Sequence, residues 1–244
     1  MSASFRKISA EIKAAADSSQ AAILQRFFKT APGQYGAGDV FLGLKVPVQR
    51  QMAIKYQALE RSDIAALLES RYHEFRLIGL LILVRQYELS DDYKFKKALV
   101  DFYLQKTSRI NNWDLVDLSA YKILGNYLLS QNTGKSLIPP ILKKLAQSKN
   151  LWERRIAMVS TYAFIKNRRS DTAFALAKEL IADKHDLMHK AVGWMLREAG
   201  KVDKGQLLAF LDQRATQMPR TALRYAIEKF TLAERRHYLA LKAA

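Results

Sequence analysis

Hydrophobic residues recur along most of the chain at intervals of three and four positions, the spacing that places them on one face of an α-helix. Sustained alternation of apolar and polar residues, which is typical of strands, is nearly absent, and no Asn-Gly hairpin turn occurs. The pattern therefore predicts an all-α protein of short helices joined by short turns. The predicted helices are 4–16, 19–29, 47–60, 63–70, 73–87, 91–105, 112–130, 137–147, 151–166, 171–182, 187–199, 203–215, 219–229 and 232–242.

Prolines and short polar residues mark where these helices begin. Pro47, the Pro139-Pro140 pair and Pro219 each lie at a predicted first turn, where a missing N–H leaves no helical bond unmade. Six residues are predicted to cap helix N-termini: Asp63, Ser90, Asn112, Ser170, Asp203 and Thr231.

Many short amphipathic helices in series favour an α-solenoid of HEAT type, built from antiparallel helix pairs, although the internal sequence repeat is weak. A globular helical bundle is the alternative. We expect one HEAT-like domain over 1–244, with N-terminal helices in 1–30, a Gly-rich loop at 30–46 and repeats from 47 to 244. A basic concave face on such a solenoid would accommodate a DNA duplex.

The net charge points to a polyanionic partner. The chain has 40 Lys and Arg against 23 Asp and Glu, a formal charge of +17, and such an excess is the electrostatic footprint of a nucleic-acid binder. Charge alone does not distinguish DNA from RNA or an anionic membrane. The apolar run Leu77–Val84 is far shorter than the roughly 20 residues of a membrane span, so it predicts a very buried helix.

The absence of cysteine excludes disulfides, thiolate metal sites and cysteine nucleophiles. The N-terminal residues lack the apolar core of a signal peptide, so we expect a cytoplasmic protein, acting as a monomer without a membrane partner. His185 and His189 have the i, i+4 spacing of a metal pair, but no Glu stands beside His185, and metal binding is disfavoured. No metal and no cofactor are expected.

The Gly-rich loop, Thr30–Val46, holds four of the ten glycines. Gly33, Gly36 and Gly38 have a spacing that superficially resembles a phosphate-binding loop, yet no strand precedes them, so we discount nucleotide binding. A loop of this length is either functional or a tightly packed corner.

The segment from Asn112 carries the most informative pattern. Its predicted apolar stripe consists of Trp113, Val116, Asp117, Ala120, Leu124 and Leu128. A carboxylate on such a stripe is costly unless it is paired or lies at a cleft. Asp117 is therefore either a partly desolvated catalytic group or a structural aspartate bonded to a neighbouring helix, and the residues alone favour the latter. Asp114, at the helix start, is explained by the helix dipole.

Two later segments offer further candidates. Arg155 lies on the flank of the apolar stripe of its helix and could reach a phosphate, whereas Arg154 points away from it; the alternative for Arg155 is a surface ion pair. Gly193 inside a helix costs roughly 1 kcal/mol relative to Ala, which predicts close approach of another group. Trp194 shares a face with Lys190, either as a ligand platform or, more commonly, in ordinary helix packing.

Four segments together resemble the AlkD-like DNA alkylation repair proteins, over about residues 20–230. They are Arg26–Arg50, Asn111–Asp117, Leu151–Arg155 and His189–Glu198. The resemblance implies HEAT-like repeats and a monofunctional glycosylase that removes cationic N3- and N7-alkylated purines, such as 3-methyladenine and 7-methylguanine, from duplex DNA. It places the catalytic residues at Trp113, Asp117, Arg155 and Trp194, with Asp117 stabilising the oxocarbenium-like transition state.

The DNA-binding residues expected with this resemblance are Phe27, Arg154, Arg155, Lys190 and Arg197. Phe27 falls where the best-known relatives carry a tyrosine, and the Gly-rich loop is longer than theirs. The alternative is therefore a non-catalytic HEAT-like binder of branched or damaged DNA. A HEAT-type protein scaffold is a third hypothesis, which the charge of +17 disfavours.

Overall fold

The structure is a computed structural model, which describes residues 2–131 and 136–241. In these ranges the amphipathic segments identified above fold as helices. Within those ranges the regular structure is helical, and β pairing is limited to an isolated bridge between Val40 and Tyr72. The prediction of an all-α protein is confirmed. No helix in the described ranges is both long and apolar enough to span a membrane.

The chain divides into two compact units, residues 1–119 and 120–244. Unit 1 contains α1 (Ala3–Ala14), α2 (Ser18–Phe27), α3 (Val46–Lys55), α4 (Arg61–Leu68), α5 (His73–Leu89), α6 (Tyr93–Gln105) and α7 (Trp113–Ala120), which ends at the boundary. Unit 2 begins with a π-helical turn (Tyr121–Gly125) and continues with α8 (Asn126–Gln131), α9 (Pro140–Ala146), α10 (Leu151–Ser160), α11 (Tyr162–Lys166), α12 (Asp171–Leu180), α13 (Asp186–Val202), α14 (Lys204–Arg214), α15 (Arg220–Ala226) and α16 (Leu232–Ala240). Short 3₁₀ turns occupy Thr107–Arg109 and Ala215–Gln217.

Most helix boundaries fall within a few residues of their predictions, but two helices predicted to be continuous are interrupted. The predicted helix 112–130 is interrupted by the π-helical turn, and the helix predicted at 151–166 is broken at Thr161. The π turn changes the helical phase, and Leu128 consequently lies half-exposed, off the buried stripe on which it was predicted. Residue 242, the predicted end of the last helix, lies outside the described residues.

Two of the predicted N-caps close their helices as expected. Asp203 accepts a hydrogen bond from the N–H of Gln206, and Thr231 forms a reciprocal capping box with Glu234. Ser170 occupies the N-cap position of α12 but makes no side-chain cap bond there, because its backbone is in the αR region rather than the extended conformation of a capping residue; its hydroxyl donates to the side chain of Gln206.

The other predicted caps require correction or qualification. Asp63 lies inside α4, whose N-cap is Glu60, and its carboxylate instead accepts hydrogen bonds from Ser2. Ser90 ends α5, and Asp92 caps α6 in its place. Asn112 precedes α7 and accepts the N–H of Trp113 with its side-chain oxygen, 2.8 Å away.

Each unit is organised around one long central helix. In unit 1, α3 and α4 pack on α5, and twelve of the 17 residues of α5 are buried, as the apolar run Leu77–Val84 predicted. In unit 2, α10, α12, α14 and α15 pack on α13. A Cβ at Gly193 would lie 2.4 Å from the carbonyl oxygen of Ala222, so the predicted close approach is confirmed, and the approaching element is α15. This repeat-like packing of short helices agrees with the HEAT-like fold predicted from the sequence.

Candidate active site

Asp117 and Trp113 lie one turn apart on α7, and both side chains are half-exposed. Between and beyond them, Val116 and Ala120 are fully buried. Asp117 is therefore at the edge of the core and is accessible to solvent. A carboxylate sealed beneath packed side chains would have contradicted a catalytic role, and the structure does not place Asp117 in that position.

Buried side chains lie on the inner side of α7 near Asp117. The buried hydroxyl of Tyr103 bonds to Ser119, 3.0 Å away, and Ser119 in turn donates to the carbonyl of Leu115. Burial raises the pKa of Tyr103; the hydrogen bond to Ser119 lowers it by a smaller amount, and the negative charge of Asp117 adds a still smaller increase. Asp117 therefore lies close enough to the buried Tyr103 for the two groups to interact electrostatically.

Trp113 belongs to an aromatic cluster formed by Phe27, Phe28, Phe41 and Trp113. The ring of Phe28 stacks on Trp113 at 5.1 Å and on Phe41 at 4.9 Å. Phe27 contacts Trp113 edge-on at 6.0 Å and is 61% exposed. The indole Nε1–H of Trp113 donates a hydrogen bond to the hydroxyl of Tyr35, 3.2 Å away. One face of Trp113 is therefore covered by Phe28, and its polar edge is bonded to the Gly-rich loop.

A buried network of charged side chains lies beneath this cluster. The imidazole of His73 bonds to Asp39 through Nδ1 at 3.1 Å and to Asp114 through Nε2 at 2.8 Å. Asp39 also accepts from Arg76 and from the side-chain amide of Asn112. Burial by itself lowers the pKa of His73, but Asp114 and Asp39 outweigh it and raise the pKa to about 9. His73 is therefore an imidazolium at neutral pH, held between two carboxylates.

This network was not found from the sequence. The helix dipole, to which Asp114 was assigned, is a smaller part of its role, because its carboxylate pairs with His73 and caps the N–H of Leu115 at 2.8 Å. The residues that His73 bonds are 34 and 41 positions away, so no local pattern could connect them.

The two arginines of α10 in unit 2 are both engaged in hydrogen bonds. Arg155 is 5% exposed, and its guanidinium donates to the carbonyl of Leu187 in the first turn of α13. Arg154 is half-buried, forms an ion pair with Asp183 at 2.6 Å, and donates to backbone carbonyls of the preceding turn. The helical phase correctly placed Arg155 nearer the core than Arg154, whereas phosphate contact by either residue stays a prediction.

The remaining candidates of unit 2 lie on α13. Trp194 is half-exposed and contacts Tyr162 at 5.9 Å, and Tyr162 contacts Tyr121 edge-on at 5.2 Å. Lys190 pairs with Asp186 one turn earlier at 2.8 Å, and Arg197 pairs with Glu198 and Glu228.

The two histidines with metal-like spacing form hydrogen bonds to the backbone at, and just before, the start of α13. Nδ1 of His185 accepts the N–H of Leu187 at 3.2 Å, and the ring of His189 bonds to the carbonyl of Asp183. Within residues 2–131 and 136–241, no group of three or more His, Asp or Glu side chains is arranged to hold a metal ion.

Positive charge is distributed unequally between the two units. Residues 120–244 contain 23 Lys and Arg against ten Asp and Glu, whereas residues 1–119 contain 17 against 13. Unit 2 therefore carries +13 of the formal charge of +17, and unit 1, which contains Asp117, carries +4.

Comparison with known proteins gives a consistent picture. A family model described as DNA alkylation repair enzyme matches residues 8–230. A solved structure described as a predicted DNA alkylation repair enzyme from Enterococcus faecalis is similar to this chain with a TM-score of 0.68 and 16% sequence identity, over 89% of this chain and 97% of that one. At this identity the structural likeness concerns the fold. No curated protein matches the sequence.

Proposed function

The chain belongs to the family of DNA alkylation repair enzymes, and we propose that it is a monofunctional glycosylase that excises cationic alkylpurines from duplex DNA. Membership supports a role in DNA repair. The proposal names 3-methyladenine and 7-methylguanine as substrates and Asp117 as the catalytic carboxylate.

The observation that carries the proposal is the half-exposed position of Asp117, one helical turn from the half-exposed Trp113. A purine alkylated at N3 or N7 carries a positive charge and is already a good leaving group, so a general acid is not required. The sugar cation that develops as the base departs requires a nearby negative charge. A carboxylate fixed on a helix at the edge of a low-dielectric core supplies that charge with little reorganisation and can orient a water molecule.

Trp113 and Trp194 are each proposed to contact the alkylated DNA. A cation lying over an indole face gains about 0.5–2 kcal/mol, which favours the charged base over its neutral counterpart. Because one face of Trp113 is covered by Phe28 and the cation must lie over a ring face, we assign this contact to the other face of the indole.

The basic residues of unit 2 are proposed to hold the DNA backbone. Lys190 and Arg197 lie in ion pairs on α13, and phosphates replace their carboxylate partners when DNA binds. Arg154 and Arg155 also belong to this proposed set. For Arg155, whose guanidinium is buried against Leu187, a role in fixing the start of α13 accompanies the proposed phosphate contact.

The experiment is an excision assay on methylated duplex DNA, with the released bases separated by chromatography. We expect free 3-methyladenine or 7-methylguanine together with abasic sites that remain uncleaved, since a monofunctional glycosylase leaves the backbone intact. Purified protein that binds DNA but releases neither base would overturn the proposal.

The alternative is a non-catalytic binder of branched or damaged DNA, and one observation favours it: the exposed residue at the edge of Trp113 is Phe27, which has no hydroxyl. This alternative predicts tighter binding to junctions or flaps than to plain duplex, without base release. A protein scaffold predicts instead a partner whose binding survives high salt, whereas binding to phosphates weakens steeply as salt rises.

A further inference from the structure

The Gly-rich loop is held in one conformation by buried charged groups. The carboxylate of Glu74 accepts hydrogen bonds from the N–H groups of Leu42, Gly43 and Leu44, at 3.0, 2.8 and 3.3 Å. Further back in the loop, the buried Asp39 bonds to Arg76 of α5. A loop tied to α5 at both places has little freedom to move. It can therefore present a side chain in a fixed position.

The side chain that it presents to the candidate site is Tyr35. Its hydroxyl accepts the Nε1–H of Trp113 at 3.2 Å and lies 3.5 Å from the backbone carbonyl oxygen of Phe27, to which it donates. The hydroxyl thus accepts one hydrogen bond from the aromatic cluster and donates another to the backbone of the cluster residue Phe27. Phe28 stacks on the indole, and the hydrogen bond that the indole N–H donates to Tyr35 constrains the direction of its polar edge.

The same loop also holds the start of α7, the helix that carries Trp113 and Asp117. Asp39 bonds to Asn112 at 3.0 Å, and His73, which Asp39 also contacts, bonds to Asp114 at 2.8 Å. The loop therefore bonds directly to the side chain of Asn112, which precedes α7, and to the indole of Trp113, the first residue of α7.

We propose that Tyr35 is a positioning residue whose hydroxyl orients the indole of Trp113 for contact with the alkylated nucleotide. The reaction that it serves rests on the proposed glycosylase function. The orientation of Trp113 does not, so the two claims can be tested separately.

The first test is spectroscopic and needs no activity. The chain has three tryptophans, so ¹⁵N-labelled protein gives three indole N–H resonances, and Trp113→Phe identifies that of Trp113. In Tyr35→Phe, which removes only the hydroxyl, we expect the Trp113 resonance to move and its proton to exchange faster with solvent. The resonances of Trp152 and Trp194 should stay in place. A Trp113 resonance that does not move would overturn the proposal.

The second test separates chemistry from binding. In single-turnover excision, Tyr35→Phe should lower the rate at saturating protein about five-fold, the factor that corresponds to one neutral hydrogen bond, while the half-saturating concentration stays unchanged. Tyr93→Phe, an exposed tyrosine at the start of α6, is the matched control and should retain the wild-type rate. An equal loss in both variants, or weaker DNA binding alone in Tyr35→Phe, would contradict a positioning role. Wild-type protein that excises nothing would overturn the glycosylase function, and the Trp113 resonance would then decide the orientation by itself.

Discussion

Asp114 and Asp117 are three residues apart on one helix, and their surroundings give them different properties. Asp114 is 8% exposed and pairs with a buried imidazolium, so its charge is already compensated. Asp117 is half-exposed beside an indole, at the edge of the core. Of the two carboxylates, Asp117 is the one that solvent, and therefore a bound substrate, can reach.

The buried imidazolium predicts a specific pH dependence of stability. The pKa of His73 is raised from 6.5 to about 9, so its contribution is fully present below pH 6.5 and is lost as the pH rises towards 9. The shift corresponds to a loss on the order of 3 kcal/mol in the free energy of unfolding. Urea unfolding of the wild type at pH 6.5, 7.5, 8.5 and 9.5 measures it.

His73→Gln is the control for that measurement. It lacks the titrating group, so its stability should be lower than that of the wild type at pH 6.5, and the difference should shrink as the pH rises to 9.5. A difference that stays constant over this range would show that His73 is neutral in the folded protein.

For single residues, the sequence correctly predicted those positions that depend only on the phase of one helix. Phase placed Trp113 and Asp117 on one face and ranked Arg155 as more buried than Arg154. It could not find Tyr35, whose hydroxyl meets Trp113 from 78 positions away. Such a contact depends on the path of the Gly-rich loop, and that path is set by buried carboxylates rather than by any local pattern.

Among the elements, the Gly-rich loop is the one whose structure most affects the candidate site. Its length left open a functional loop or a packed corner, and the close approaches at two of its glycines show tight packing. A Cβ at Gly36 would lie 2.4 Å from the carbonyl oxygen of Phe28. At Gly43 it would lie 2.1 Å from the carbonyl oxygen of Asp17, and φ there is +92°.

These distances predict unequal costs for two alanine substitutions in the same loop. Gly43→Ala combines an unfavourable φ with a collision against backbone, so we expect it to lower the free energy of unfolding by about 2–4 kcal/mol. Gly33 has a φ of +80°, but a Cβ added there would meet no atom within 4 Å beyond its chain neighbours, so Gly33→Ala should cost only about 1 kcal/mol. Urea unfolding curves compare the two, and equal losses would contradict the packed-corner interpretation.

The helix after Asn112 shows the limit of prediction for elements. Its hydrophobic spacing is compatible with one continuous helix, but a π-helical turn at Tyr121–Gly125 inserts an extra residue into the phase. Gly125 lies in that turn, where a Cβ would come within 2.4 Å of the carbonyl oxygen of Ser160. The irregular turn is thus associated with close packing against α10, which periodicity does not encode.

For the whole molecule, net charge was the property most directly available from the sequence. The net charge of +17 indicated a polyanionic partner. That most of this charge belongs to unit 2 could be recognised only once the structure placed the boundary between the units after residue 119. If the proposed function is correct, this division predicts that unit 2 supplies most of the electrostatic attraction to DNA.

That division predicts different effects of two similar lysines. Lys190 in unit 2 and Lys97 in unit 1 each pair with an aspartate one turn away, at 2.8 and 2.7 Å. Lys190→Ala should weaken duplex binding and reduce the slope of log K against log salt by about 1. Lys97→Ala should change neither quantity. Fluorescence anisotropy across a salt series measures both, and equal effects of the two variants would argue against unit 2 as the main phosphate-binding surface.

The most direct test of the central claim compares Asp117→Asn with the wild type in single-turnover excision of 7-methylguanine, with duplex affinity measured on the same samples. Asp101→Asn, an exposed aspartate paired with Lys97, is the matched control. We predict that Asp117→Asn lowers the excision rate by at least about 100-fold, with duplex affinity within about two-fold of the wild type, while Asp101→Asn keeps both. Excision by Asp117→Asn at the wild-type rate, or an equal loss of excision and binding, would contradict a catalytic Asp117.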